Sequence, residues 1–94
     1  FLRSESAAYP DLRVGKESFM IGKKKDAVDG WLKARGISRI HAKISREEDC
    51  YYLTDLNSTN GTFLNGGRLG VNEKARLRPG DSVGFADIRY VVEG

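Results

Sequence analysis

Residues 37–66 read ISRIHAKISREEDCYYLTDLNSTNGTFLNG, and the alternation within this stretch decides the fold. Apolar residues on one face are Ile40, Ala42 and Ile44, and polar residues on the other are His41, Lys43 and Ser45. This period of two is typical of a half-buried β-strand. The acidic run Glu47-Glu48-Asp49 then predicts a tight turn into a second strand, Tyr51–Leu56. The stretch therefore predicts a β-hairpin with polar loops before and after it.

The rest of the chain repeats this pattern of short strands separated by turns. Further strands are predicted at residues 1–6, 11–14, 18–23, 62–64, 68–71, 75–77, 82–85 and 88–92. Asn60-Gly61 and Asn65-Gly66 are tight-turn sequences, and Pro79-Gly80 suits a type II turn. No segment shows the period of an amphipathic helix. We therefore predict an all-β protein, built as a sandwich or a barrel.

The segment Lys23–Gly36 is the longest stretch without the character of a strand. It holds only three apolar residues besides its alanines, and its glycines leave room for no more than a short helical turn around Trp31–Ala34. A buried indole N–H needs a hydrogen-bond partner. We predict an ordered loop in which Trp31 plugs the core.

The composition is that of one small globular domain. Ninety-four residues, of which 39% are hydrophobic and 31% charged, can bury a single core without disulfides or metals. We therefore expect residues 1–94 to form one domain of a larger protein. The single cysteine, Cys50, has no partner for a disulfide or a shared metal, which favours a reducing, cytoplasmic setting. No apolar run approaches the ~20 residues of a membrane span, so we predict no membrane segment here, and no metal or cofactor.

The charge pattern supports one alternative weakly. The net charge is +3, and the only basic run is Lys23-Lys24-Lys25. Such a run can contact nucleic acid, but it is more often a solvated loop. The aromatic residues fall at period-two positions that a core would use. A small β-barrel that binds nucleic acid is therefore an alternative that this run alone supports.

Two polar clusters flank the hairpin. Ser38, Arg39 and His41 stand at the start of its first strand, and Asn57–Thr62 follow its second. Such residues are common in ordinary turns because they tolerate left-handed backbone or bond to it locally. Hydroxyl and amide side chains at strand ends can also donate several hydrogen bonds to one anion or peptide. Catalysis is not expected, because there is one histidine and no carboxylate pair or metal-ligand cluster.

The order and spacing of these residues resemble the forkhead-associated (FHA) domain family. The matching residues are Gly22, then Ser38-Arg39-Ile40-His41, then Asn57-Ser58-Thr59-Asn60-Gly61-Thr62, and finally Gly80-Asp81 before an apolar strand. The resemblance covers nearly the whole chain. It implies a sandwich of two sheets of short, mostly antiparallel strands, with the recognition loops at one end.

The resemblance also implies a function, which is binding of phosphothreonine in a partner protein or peptide. The implied phosphate contacts are Lys23, the Ser38 hydroxyl, the Arg39 backbone N–H and Thr59. Asn60 is implied to hold the backbone of the peptide. Gly22, His41 and Gly61 match positions that support the site in the family. His41 is thus interpreted as a structural histidine that braces neighbouring loops.

The chain departs from the family pattern after Gly22, where Lys23 stands in place of the usual arginine. Lysine keeps the charge but loses the planar, two-pronged donor that arginine presents to a phosphate. Gly36 occupies a position where some members place a side chain that selects residues beyond the phosphothreonine.

We therefore predict a phosphothreonine-dependent, non-enzymatic binding module of a cytoplasmic signalling or assembly protein. The alternative from a different class is an interaction domain that docks its partners without phosphate. The identity of the partner and the oligomeric state stay open.

Overall fold

The computed structural model describes all residues from 1 to 94. Its ten strands are β1 (Leu2–Ser4), β2 (Ser18–Gly22), β3 (Gly30–Trp31), β4 (Ala42–Glu47), β5 (Cys50–Asp55), β6 (Thr62–Leu64), β7 (Gly67–Arg68), β8 (Lys74–Leu77), β9 (Ser82–Phe85) and β10 (Ile88–Val92). A single 3-10 turn covers Lys25–Ala27. No helix is long and apolar enough to cross a membrane.

The strands form two five-stranded sheets. The first sheet has the order β1-β10-β9-β6-β7, and the second has the order β3-β2-β4-β5-β8. All neighbours are antiparallel except β2 and β3, which run parallel with Gly22 opposite Trp31. The predicted all-β sandwich of short, mostly antiparallel strands is confirmed.

The core lies between the two sheets and consists of fifteen buried apolar side chains. Alternation supplies them: β4 contributes Ala42 and Ile44, as its sequence predicts. Tyr90 of β10 is fully buried, and its hydroxyl donates a hydrogen bond to the Pro10 carbonyl over 2.8 Å. Burial raises the pKa of Tyr90 to about 12, so this phenol keeps the proton that it donates.

The turns follow the predicted chemistry. Glu48-Asp49 joins β4 to β5, and Asn65-Gly66 joins β6 to β7 with positive φ at both residues. At Pro79-Gly80 the glycine has a φ of 91°, and the Asp81 N–H bonds to the Arg78 carbonyl over 3.0 Å. This is the geometry of the predicted type II turn.

Several local predictions are wrong. The strand predicted at residues 68–71 lies instead at Gly67–Arg68, and Val71 makes only an isolated bridge with Asp55. The predicted strand at residues 11–14 is only an isolated bridge between Leu2 and Leu12, because the Asp11 carboxylate takes the Ser4 N–H that a longer ladder would use. The helical turn lies at Lys25–Ala27 and not at Trp31–Ala34. Trp31 is not a core plug: it lies on an edge strand, and 38% of it is exposed.

Candidate functional site

The loop after β2 and the loop before β4 are joined through their backbones. The Lys23 N–H lies 3.0 Å from the carbonyl oxygens of both Ser38 and Arg39, and the Lys24 N–H bonds to Arg39 over 3.1 Å. A Cβ atom added to Gly22 would lie 2.0 Å from the Arg39 oxygen. Only glycine permits this approach, and the role predicted for Gly22 in supporting the site stays a prediction.

Ser38 connects these loops to a third one, Leu56–Gly61. Its Oγ accepts a hydrogen bond from the Thr59 N–H over 3.1 Å, across 21 residues of sequence. A hydroxyl has one proton to donate in addition to the lone pairs with which it accepts. The Ser38 hydroxyl therefore keeps its proton available for a bound group.

His41 links the loop before β4 to the third loop. It is fully buried, its Nδ1 accepts a hydrogen bond from the Ser38 N–H over 3.1 Å, and its Nε2 lies 2.8 Å from the Gly61 carbonyl oxygen. These partners select the neutral tautomer with the proton on Nε2. Burial lowers the pKa of His41, outweighing the Gly61 bond and the charge of Asp55, which raise it.

His41 lies in the loop before β4 and not in the strand itself. Residues three apart in one strand point to opposite faces, which would separate Ser38 from His41. Strand β4 begins only at Ala42, so both residues belong to the preceding loop and can bond to each other.

A buried carboxylate that the sequence analysis missed shapes the third loop. Asp55 is 3% exposed, and it accepts hydrogen bonds from the hydroxyls of Ser58 and Thr62 and a longer one from the Ser58 N–H. These bonds fix the chain on both sides of Thr59. The aspartate followed by serine three residues later was a readable signal, since this spacing is typical of side-chain-stabilised turns.

Asn60 and Gly61 end the third loop. The Asn60 side-chain N–H donates to the Gly36 carbonyl over 2.9 Å, which leaves the amide oxygen without a partner in the protein. Gly61 has a φ of 93°, a conformation that favours glycine, and its carbonyl oxygen accepts hydrogen bonds from His41 and from the Ala86 N–H. The turn between β9 and β10 therefore joins the same end of the sandwich.

The three loops line an open surface depression of about 430 Å³, which we call the loop cavity. Its lining residues are Lys23, Gly36, Ile37, Ser38, Arg39, Thr59 and Asn60. All five residues predicted to contact ligand are among them, and Gly22, His41 and Gly61 hold the walls in place. The lining carries two cationic side chains and no carboxylate, so the cavity is suited to an anion.

Several hydrogen-bond donors of the loop cavity are unused within the protein. The Lys23 ammonium and the Arg39 guanidinium form no salt bridge, and the Arg39 backbone N–H makes no hydrogen bond. The hydroxyl proton of Ser38 is also free. Charged and neutral donors that converge on one space can bind the oxygens of a phosphate or carboxylate.

A second cavity, of about 510 Å³, adjoins the loop cavity. The two share Gly36 and Asn60, and the second is completed by Arg35, Ala86 and Asp87. The hydrogen bond from the Asn60 side-chain N–H to the Gly36 carbonyl lies at the boundary between them. No group of three histidine, cysteine or carboxylate residues is placed to hold a metal ion.

Curated relatives match half or more of this chain and are longer proteins. Protein FraH of Nostoc sp. (strain PCC 7120) is 38% identical over 79 residues, which are 82% of this chain and 27% of that protein. The chloroplastic zeaxanthin epoxidase of Prunus armeniaca is 42% identical over 52 residues, which are 50% of this chain and 8% of that enzyme. The chain thus spans about a quarter or less of these two relatives.

Solved structures share the whole fold. One, described as a study of phosphothreonine-dependent FHA domain interactions, has a TM-score of 0.87 and 27% identity, covering 99% of this chain and 93% of that one. Another, the FhaA FHA domain complexed with the intracellular domain of Rv3910, has a TM-score of 0.83 and 27% identity, with coverages of 96% and 94%. The FHA domain profile matches residues 13–86. The chain therefore belongs to the FHA domain family.

Proposed function

We propose that this domain binds a threonine-phosphorylated protein or peptide, with the phosphate in the loop cavity. The observation that carries the proposal is the set of unused donors in that cavity: the Ser38 hydroxyl, the Arg39 N–H and two cationic side chains without a counter-ion. A phosphate dianion supplies the negative charge that the two cations can pair with and the acceptor oxygens that the two donors can bind.

Within this proposal, each residue that lines the loop cavity has one role. The Ser38 hydroxyl and the Arg39 N–H donate to the phosphate, and the Lys23 ammonium neutralises part of its charge. The Thr59 hydroxyl adds a contact at the opposite wall. Asn60 accepts a hydrogen bond from a backbone N–H of the peptide through its free amide oxygen, which orients any sequence equally.

A preference for phosphothreonine over phosphoserine requires burial of the extra methyl group. Ile37, the only large apolar residue that lines the loop cavity, is 2% exposed and belongs to the core, so it offers this methyl group little surface. The preference is therefore worth at most the burial of one methyl group, about 0.8 kcal/mol, or about fourfold in affinity.

An FHA domain is a binding module, and we propose that this one acts by binding alone. Its only histidine is buried and uses both ring nitrogens in hydrogen bonds within the protein, so it is not available as a general base. We propose that residues 1–94 form one domain of a cytoplasmic signalling or assembly protein, in which it binds a partner that a kinase has phosphorylated.

Calorimetric titration with three matched peptides, carrying phosphothreonine, phosphoserine or threonine at one position, tests the proposal. We expect the order phosphothreonine, then phosphoserine, with no measurable binding of threonine. Equal binding of all three would support a phosphate-independent interaction domain instead. Salt-sensitive binding of an oligonucleotide, with none of the peptides, would support the nucleic-acid alternative.

A further inference from the structure

Trp31 is an exposed aromatic side chain beside the proposed phosphate site, and the proposed function does not use it. It is one of four large apolar residues with more than a third of their surface exposed, and the only tryptophan of the chain. Its indole N–H donates to the Lys23 carbonyl over 3.0 Å. The ring is therefore held against a residue that lines the loop cavity.

The strand register places Trp31 beside a second wall of the cavity. Trp31 of β3 pairs with Gly22 of β2, and paired residues present their side chains on the same face of a sheet. A side chain at Gly22 would point into the Arg39 backbone. The indole thus lies on the same face of the sheet as the Arg39 backbone, and its hydrogen bond holds it beside Lys23.

The surface around the indole is cationic as well as apolar. The Lys25 ammonium lies 4.8 Å from the centroid of the ring, a cation–π distance. Lys25 forms no salt bridge with any carboxylate of the protein. The Lys25 ammonium, held in position by the ring, can therefore form a salt bridge with an anionic group that approaches the indole.

We propose that Trp31 and Lys25 form a second contact for the phosphopeptide, which selects a residue pair flanking the phosphothreonine. The pair consists of an aromatic side chain that packs on the indole and a carboxylate that pairs with Lys25. This inference rests on the proposed function, because only a ligand anchored in the loop cavity brings its flank to the indole. It adds a sequence preference that the phosphate contacts alone do not supply.

The test compares three phosphothreonine peptides: one with alanine on both flanks, one with a Phe-Asp pair before the phosphothreonine, and one with the pair after it. We expect one of the two paired peptides to bind about three- to tenfold more tightly than the alanine peptide. Because Trp31 is the only tryptophan, its emission reports on the contact directly. Binding of that peptide should shift the emission to shorter wavelength.

Variants separate the contact from general effects. In Trp31→Ala, the affinity for the preferred paired peptide should be about equal to that for the alanine peptide, so that their ratio falls to about one. Trp31→Phe keeps an aromatic ring and should retain part of this ratio. Val71→Ala is the matched control, since Val71 is an exposed apolar residue that does not line the loop cavity, and the ratio should persist in it. The emission measurement uses the unaltered chain and does not depend on how the variants fold.

A ratio near one for both paired peptides, a preference that survives Trp31→Ala, or an unmoved emission at saturation would each overturn the inference. If the alanine peptide still bound in those cases, the proposed function would stand without it. If no phosphopeptide bound at all, the proposed function would fail and the inference with it.

Discussion

Replacing Ser38 by alanine tests the central hydrogen bond of the proposed phosphate site. The Ser38 hydroxyl accepts from the Thr59 N–H and has its proton free for the phosphate. A hydrogen bond to a charged group contributes about 1.5–3 kcal/mol, so the variant should bind the phosphothreonine peptide about 10- to 150-fold more weakly. Loss of the Thr59 anchor adds to this effect by loosening the opposite wall.

The fold should survive the substitution. Thr59 is exposed, so water replaces the lost partner of its N–H, and the free energy of unfolding should fall by no more than about 1 kcal/mol. That corresponds to a decrease of about 4–8 °C in melting temperature for a domain of this size. Calorimetric titration gives the change in affinity, and thermal unfolding gives the change in stability.

Ser45→Ala provides the matched control, because it deletes the same hydroxyl group at a buried position outside the loop cavity. The Ser45 hydroxyl has no hydrogen-bond partner, so its removal should leave affinity unchanged and stability unchanged or higher. The reasoning would be refuted if Ser38→Ala bound the phosphopeptide within about twofold of the parent, a difference smaller than any single hydrogen bond predicts.

Three further predictions address other parts of the site. Lys23→Arg should tighten phosphopeptide binding by about 1 kcal/mol, since a guanidinium can make two parallel bonds, and added salt should reduce the effect. Equal affinity would place this side chain outside the site; the control is Lys33→Ala, in the loop before β4 and outside the lining of the loop cavity. Asn60→Ala should weaken binding of the phosphothreonine peptide and of the phosphoserine peptide equally, by about 0.5–1.5 kcal/mol as measured by titration, because the Asn60 hydrogen bond is to neutral backbone. A loss of affinity for only one of the two peptides would contradict this role. The pKa of His41 in the folded protein is lowered from 6.5, so the neutral histidine contributes its full stability above pH 6.5. As the pH falls from 6.5 toward the folded pKa, the free energy of unfolding should decrease by up to about 1.4 kcal/mol per pH unit. Urea unfolding at pH 7.5, 6.5 and 5.5 measures this free energy, and an unchanged value would contradict the prediction.

Much of the fold is encoded in neighbouring residues. The alternation at positions 40–45 predicts a strand that the structure begins at Ala42. In the turn dipeptides Asn65-Gly66 and Pro79-Gly80, the residues Asn65, Gly66 and Gly80 adopt the positive φ angles that only a few residue types tolerate. These features depend on the period of a strand and on backbone sterics, both of which act within a few residues. The resemblance to the FHA family named Lys23, Ser38, Arg39, Thr59 and Asn60, which all line the loop cavity, and their binding of a ligand stays a prediction.

Tertiary structure alone decided the features that depend on contacts between distant residues. Trp31 was predicted to fill the core, yet its strand pairs at the edge of a sheet, where the indole faces outward beside Lys23. The spacing of Asp55 and Ser58 indicated a local turn, but the hydrogen bond from Thr62, seven residues from Asp55, forms only when the third loop closes over the carboxylate. Ser38 meets Thr59 across 21 residues, and His41 meets Gly61 across 20. Local propensity carries no information about such pairs, since they form only when the two sheets pack and bring the loops to one end.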